Sequence, residues 1–138
     1  MSRPRPGGGL SQPKDRTSRQ KVGAFGEDAA VEHLRKAGYR VLERNHRNPL
    51  GEIDIIAQDK KTLVFVEVRT RKGTGYGTAA ESITRHKKDK LRQLAESYVQ
   101  ALDNPNISYR IDVVVVQLRA DGQVERIELI RNAVEDAG

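Results

Sequence analysis

Residues 51–71 read GEIDIIAQDKKTLVFVEVRTR, and this stretch decides the fold. Two runs rich in β-branched and aromatic residues, 52–58 and 63–69, flank a short polar connection, which predicts a β-hairpin. Successive side chains of a strand point to opposite faces of the sheet. If the connecting loop holds an even number of residues, Asp54 lies directly opposite Glu67 on the neighbouring strand.

The predicted opposition of Asp54 and Glu67 is unfavourable unless something compensates it. Two carboxylates about 5 Å apart repel by about 3 kcal/mol at an effective dielectric constant of 20. A divalent cation between them converts the repulsion into attraction, because hard cations prefer oxygen ligands. A second interpretation stays open: both acids lie on a solvated sheet face, a bulge offsets one of them, and Glu52 forms a cross-strand ion pair with Arg69.

The order Asp54, hairpin, then Glu67-Val68-Arg69 resembles the Asp…(Asp/Glu)-x-Lys signature of restriction-endonuclease-like nucleases. The wider pattern is similar to the YraN-like family, small bacterial proteins predicted to be endonucleases akin to archaeal Holliday-junction resolvases. The motifs that carry this resemblance are Gly26-Glu27, Gly38-Tyr39, Arg44-Asn45, Gly51-Glu52-Ile53-Asp54, Phe65-Val66-Glu67-Val68-Arg69 and the helix from about 84.

The resemblance implies a hydrolase that uses Mg²⁺ or Mn²⁺ to cleave phosphodiester bonds. Asp54 and Glu67 would hold the metal, with Glu27 as a further ligand or water-bridged acid and the backbone carbonyl of Val68 as an additional ligand. Arg69, the third member of the catalytic set, departs from the signature, which has lysine there. Arginine stays protonated and cannot act as a general base, but it can clamp a phosphate and stabilise transition-state charge.

Glu27 lies on a helix predicted over residues 22–37, which ends at Gly38. Helical periodicity places Glu27 in line with an apolar stripe and Asp28 toward water. An acid on a buried stripe needs a partner. The metal site is one candidate, and favourable placement near the positive end of the helix dipole is the other.

A second helix, predicted over about 84–102, carries six basic residues in its first half, where cations oppose the helix dipole. Phosphate contact by Lys87 and Lys88 is one interpretation, and a solvated charged face is the other. By resemblance, Lys87 matches a lysine close to the site. Arg71 and Tyr76 are further nucleic-acid-binding candidates, Tyr76 in a glycine-rich loop where it could stack on a base or sugar.

The bulk composition describes a single small domain with a basic tail. Residues 1–20 contain three prolines and a net charge of +4 out of +6 for the whole chain, which predicts a disordered basic tail before a nuclease-like domain at 21–138. The absence of cysteine excludes disulfides and thiolate metal sites. No apolar run is long enough to span a membrane, so we expect a cytoplasmic protein without a membrane partner.

The remaining segments predict an α/β fold of element order αβββαββ, a mixed sheet flanked by helices as in the restriction-endonuclease-like core. The run 109–116 is too continuously apolar for an exposed strand, and it is followed by an edge strand over 123–129 and a frayed end over 131–138. Arg110 and Asp112 share a face, which favours a structural ion pair over a chemical role.

Three functions fit this fold and charge. The first is a metal-dependent endonuclease acting on DNA, with branched or junction DNA as a candidate target and a two-fold homodimer as the state that junction resolution requires. The second is a nucleic-acid-binding protein that keeps the nuclease fold without cutting. The third is an interaction protein whose acids pair with local arginines. Sequence does not distinguish DNA from RNA as the partner.

Overall fold

The computed structural model describes residues 18–73 and 77–134. The chain forms two α-helices and five β-strands in the predicted order αβββαββ. In chain order these are α1 (Ser18–Lys36), β1 (Arg40–Asn48), β2 (Gly51–Asp59), β3 (Thr62–Lys72), α2 (Arg85–Gln100), β4 (Tyr109–Leu118) and β5 (Val124–Ile130). A short 3-10 helix, Ala80–Ser82, precedes α2 and was not predicted. The predicted tail falls mainly on residues outside the described part.

The five strands form one mixed sheet in the order β1-β2-β3-β4-β5. Only the β3–β4 pair is parallel among the described strands, and it extends from Leu63 opposite Tyr109 to Lys72 opposite Leu118. A parallel pair needs a crossover connection, and α2 provides it. This topology is consistent with the restriction-endonuclease-like fold and confirms the α/β prediction.

Helices cover both faces of the sheet and divide the core in two. On the α1 side, Ala30, Val31 and Leu34 pack against the even-numbered side chains of β3 and β4. On the α2 side, Leu91, Leu94 and others pack against Phe65 and the odd-numbered side chains of the same strands. The central strand β4 is buried from its third residue onward, as its continuous apolar run predicts.

Both helices lie close to their predicted positions. The first begins at Ser18, four residues earlier than predicted, and Phe25 lies on its outer side with 47 % of its surface exposed. The second is capped by Thr84, whose side-chain oxygen accepts a hydrogen bond from the backbone N–H of Lys87. This cap satisfies one of the free N–H groups of the first turn.

A buried polar cluster closes the end of the sheet where β4 begins. Asp112, which is fully buried, accepts hydrogen bonds from the Tyr39 hydroxyl (2.7 Å), the Arg110 guanidinium (3.0 Å) and the backbone N–H of Asn132 (2.8 Å). Arg110 also donates to Asp59 (2.9 Å). The predicted structural ion pair of Arg110 and Asp112 is therefore confirmed, within a larger network that satisfies the buried charge.

The end of the described chain is packed rather than frayed. Val134 is 3 % exposed in the α2-side core, and the backbone N–H of Ala133 donates to the carbonyl of Ile111 (2.8 Å). The prediction of fraying was therefore wrong for residues 131–134, because an isolated apolar residue can dock without any periodic pattern. Neither described helix has the length and apolar character needed to cross a membrane.

Candidate functional site

The hairpin has the predicted register, and its ladder stops next to the two acids. Five opposed pairs, from Asp59 with Thr62 to Ile55 with Val66, follow the predicted alignment. Continued, the ladder would place Ile53 opposite Val68. Instead, the backbone N–H of Val68 donates to Oδ2 of Asp54 (2.8 Å). The side chain of Asp54 thus takes the place of a backbone acceptor at the point where the strands separate.

The same hydrogen bond accompanies a break in the alternation of β2. Ile55 packs in the core on the α1 side, whereas Ile53 packs with Ile56 on the α2 side. Strict alternation would put Ile53 and Ile55 on one face. The strand therefore shifts its side-chain pattern by one position at Asp54, and this shift brings the carboxylate against the backbone of β3.

Asp54 lines a cavity of about 570 Å³ between α1 and the open end of the hairpin. Glu27 from α1 and Glu52 from β2 border the same space, together with Lys72 at the end of β3. Three acids from two elements therefore face one cavity. Glu52 does not form the cross-strand pair with Arg69 that the second interpretation required, and its nearest described cation is Arg47 of β1, at 3.8 Å.

The electrostatic environment of Asp54 is unusual for an aspartate. Its pKa is raised to about 7, first by burial and then by the negative charge of Glu67. The hydrogen bond from Val68 acts in the opposite direction, and Glu27 and Glu52 contribute smaller increases. Asp54 is therefore close enough to Glu67 to interact with its charge. No described cation forms an ion pair with Asp54.

Glu67 reaches the site from the opposite side of the sheet. It follows Phe65 on the face of β3 that packs against α2, and it is 6 % exposed. Its Oε2 lies 3.4 Å from the Nζ of Lys87, in the first turn of α2. Asp54 and Glu67 therefore do not form a regular cross-strand pair on one face, although Asp54 senses the charge of Glu67.

Glu27 is held in the cavity wall by β1. Its carboxylate accepts hydrogen bonds from the Arg44 guanidinium (2.8 Å) and from the Asn45 side-chain amide (2.9 Å). Asn45 has a positive φ of 54°, a conformation that asparagine tolerates better than most residues. Asp28 lies outside with 70 % of its side chain exposed and pairs with Arg44 as well (2.7 Å), as the predicted outward orientation allows.

The other candidates occupy three different positions. Arg69 is half-buried and borders a second cavity of about 320 Å³ on the α2 side. Arg71 is 8 % exposed and donates to the carbonyls closing the loop after β3, which favours a structural role over phosphate contact. Lys88 is half-buried on α2, one residue from Lys87. Tyr76 lies outside the described residues.

The donor set suits a hard divalent cation but is not a complete ligand sphere. Asp54 and Glu67 supply carboxylate oxygens; Glu67 is paired with Lys87, whereas Asp54 has no described cation as a partner. No group of three or more His, Asp or Glu side chains is preassembled for a metal within residues 18–73 and 77–134. Glu27 is engaged with Arg44 and Asn45, so it fits the role of a water-bridged acid better than that of a direct ligand.

Sequence reasoning missed two features of the site. Arg44 and Asn45 were recognised only as a motif, although they are the residues that fix Glu27. Lys72 was not considered because it lies beyond the predicted end of the strand. The signal for Lys72 was present, since alternation from Val68 through Thr70 places it on the cavity side.

Comparison with known proteins identifies the family. The model described as "Uncharacterised protein family UPF0102" matches residues 26–116, which include Glu27, the hairpin and α2. The chain belongs to UPF0102. This is the YraN family, so the resemblance inferred from the motifs is confirmed.

Several UPF0102 proteins are similar to this chain over most of its length. The relative from Caldicellulosiruptor saccharolyticus is 45% identical over 116 residues, covering 84% of this chain and 98% of the relative. That from Dehalococcoides mccartyi is 48% identical over 118 residues, covering 85% and 95%. That from Roseiflexus castenholzii is 47% identical over 120 residues, covering 86% and 97%. The UPF0102 description names no reaction, so the chemistry rests on the site.

Proposed function

We propose that this UPF0102 protein is a metal-dependent endonuclease that hydrolyses phosphodiester bonds in DNA. The observation that carries the proposal is the Asp54 carboxylate: it lines a cavity where the hairpin opens, interacts with the charge of Glu67 and pairs with no described cation. Structural acids are normally paired with cations, whereas acids left unbalanced in a cleft are typical of functional sites.

Asp54 and Glu67 would hold Mg²⁺ or Mn²⁺, with the Val68 carbonyl as a further donor. When bound, the cation polarises the phosphate and lowers the pKa of a coordinated water. Glu27, fixed by Arg44 and Asn45, accepts hydrogen bonds from water at the cavity wall. The chain thereby supplies oxygen donors on one side of the reacting phosphate.

Basic side chains on the α2 side supply the complementary charge. Arg69 stays protonated at any pH of interest, so it binds phosphate and stabilises negative charge in the transition state rather than removing a proton. Lys87 and Lys88 lie in the first turn of α2, and the Nζ of Lys87 is 3.4 Å from Glu67. Because cations there oppose the helix dipole, their placement favours contact with the nucleic-acid backbone.

A second candidate function is DNA binding without cleavage. Two observations favour it: Arg69 stands where the nuclease signature has lysine, and no three-ligand group is preassembled among the described residues. In this case the acids would be a remnant of the nuclease site, and the basic residues of α2 would account for binding. Salt-dependent binding without hydrolysis is the expected behaviour.

Cleavage assays separate the two functions. Supercoiled plasmid and a four-way DNA junction are incubated with the purified protein and Mg²⁺ or Mn²⁺, with Asp54→Ala and Glu67→Ala in parallel. Asp103→Ala, an exposed acid away from the cavity, is the matched control. Metal-dependent nicking or junction cleavage that both site variants lose and the control keeps supports the nuclease. Binding without cleavage supports the second function, and cleavage that survives both substitutions contradicts the proposed site.

The preferred structure of the nucleic acid and the assembly state are part of the same proposal. Symmetrical cleavage of a junction requires two active sites related by a two-fold axis. Sedimentation of the free protein and of its junction complex tests for a dimer, and competition with duplex, single-stranded and RNA ligands ranks the targets. A monomer that prefers single strands would contradict junction resolution without affecting the hydrolytic site.

A further inference from the structure

The contact between Glu67 and Lys87 identifies the counter-ion of the site in the free protein. Nζ of Lys87 lies 3.4 Å from Oε2 of Glu67, whose side chain is only 7 % exposed. A buried carboxylate is strongly destabilising unless a cation or hydrogen-bond donors compensate it. Lys87 supplies that compensation before any metal is present.

The neighbouring acids are compensated differently. Glu27 is paired with Arg44, and Glu52 lies 3.8 Å from Arg47. Asp54 makes no ion pair with any residue in 18–73 or 77–134. Within the described chain, Lys87 is therefore the cation that pairs with the Asp54–Glu67 centre.

We propose that Lys87 leaves Glu67 when a divalent cation binds there, and that its ammonium then binds a phosphate of the nucleic acid. The inference rests on the proposed function, because it needs the cation and the phosphate to share one site. A divalent ion bound to the Glu67 carboxylate would repel the ammonium, whose Nζ lies 3.4 Å from Oε2 of that carboxylate, and this repulsion displaces Lys87.

The structure gives Lys87 the freedom to move. Its side chain is 36 % exposed and consists of a flexible four-carbon stem with a compact charge. It borders a surface cavity of about 460 Å³ formed by α2, where Lys90 adds a second positive charge and the acid Asp89 is already paired with Arg92. The ammonium can therefore turn from Glu67 toward this basic surface without unfolding the helix.

This exchange couples metal binding to nucleic-acid binding. In the free protein, Lys87 competes with the cation and lowers its affinity. A bound phosphate removes the competitor, so each ligand strengthens the binding of the other by the same factor, as linkage requires. The site would then be loaded with metal mainly when its substrate is present.

The test measures Mn²⁺ affinity by electron paramagnetic resonance on the full chain, stripped of metal with EDTA. Lys87→Gln removes the competing charge, and Arg85→Gln removes an equal charge from the same helical turn without touching Glu67. Lys87→Gln is expected to bind Mn²⁺ about 5- to 10-fold more tightly than wild type, with Arg85→Gln within about twofold. Lys87→Arg, which keeps the charge, is expected to resemble wild type.

A second measurement tests the coupling. Fluorescence anisotropy with a hydrolysis-resistant phosphorothioate duplex gives the DNA affinity with EDTA and with Mn²⁺. Mn²⁺ should raise the DNA affinity of wild type by about the same factor by which Lys87→Gln raises the Mn²⁺ affinity. In Lys87→Gln, Mn²⁺ should change the DNA affinity much less than in wild type. Circular dichroism confirms that each variant is folded.

The outcomes separate this inference from the proposed function. If wild type binds Mn²⁺ and Lys87→Gln binds it no more tightly than Arg85→Gln, the exchange is overturned and the metal site stands. If neither wild type nor Lys87→Gln binds Mn²⁺ at millimolar concentration, the metal-dependent function fails together with the exchange.

Discussion

The raised pKa of Asp54 predicts an unusual pH dependence of stability, which Asp54→Asn should abolish. An ordinary aspartate has a pKa near 3.8, and Asp54 has this value in the unfolded chain. In the folded protein the pKa of Asp54 is about 7, because of burial and the charge of Glu67. The folded state thus binds the proton more tightly. The free energy of unfolding therefore falls as pH rises through this window, opposite to the usual effect of a salt-bridged aspartate.

The size of the effect follows from the two pKa values. The difference between 3.8 and about 7 corresponds to about 4 kcal/mol once the pH exceeds both values. Between pH 5 and pH 8 the expected loss is about 2.5 kcal/mol, since part of it has occurred below pH 5. Asparagine has no proton to lose, and its side-chain oxygen can still accept the hydrogen bond from Val68.

The assay is urea unfolding in EDTA at pH 5, 6, 7 and 8, followed by circular dichroism. Between pH 5 and pH 8, the free energy of unfolding of Asp54→Asn should rise by about 2.5 kcal/mol relative to that of wild type. Asp103→Asn replaces an exposed aspartate and should follow wild type at every pH. Mn²⁺ at pH 8 should stabilise wild type and not Asp54→Asn. A difference between Asp54→Asn and wild type that stays constant with pH would refute the electrostatic reasoning.

Three further substitutions test the scaffold by urea unfolding. Gly26→Ala should lower the free energy of unfolding by about 1–3 kcal/mol, because an added Cβ would meet Oγ1 of Thr70. The double variant with Thr70→Ala should recover most of this loss, and no recovery would contradict the contact. Arg71→Gln should lower the free energy of unfolding by about 1–3 kcal/mol and speed proteolysis of the following loop, with little change in DNA affinity. A loss of DNA binding without a loss of stability would instead support phosphate contact by Arg71. Tyr39→Phe should lower the free energy of unfolding by about 1–3 kcal/mol, because the buried Asp112 carboxylate loses one of its hydrogen bonds. An equal effect of Tyr109→Phe at the surface would argue against this reason.

The fold was predictable because its main signals are periodic. Alternating strands on either side of a polar connection predicted the hairpin and its register, and the structure confirms both from Ile55 to Val66. The continuous apolar run of β4 predicted a central strand, and helical spacing predicted α2 to within two residues at its C-terminal end. Each of these signals extends over many residues, so a local exception does not erase it.

The sequence indicated which residues are candidates for the site, but not how their side chains are arranged. The shift in side-chain pattern at Asp54 comes from one hydrogen bond to the backbone of Val68, and a single-residue irregularity leaves no periodic trace. The pairing of Glu67 with Lys87 joins β3 to the crossover helix, so its distance depends on how α2 packs. The burial of Arg71 likewise depends on the segment after β3, whose Gly77 and Thr78 carbonyls accept its hydrogen bonds.

The hydrogen bond from Asn132 to Asp112 has a consequence for how the protein matures. During synthesis Asp112 leaves the ribosome twenty residues before Asn132. Until the later residue emerges, the nascent chain holds a carboxylate that cannot enter the interior with all its partners. Shortened chains that stop before Asn132 would therefore leave the buried Asp112 carboxylate without one of its donors and weaken closure of the sheet where β4 begins.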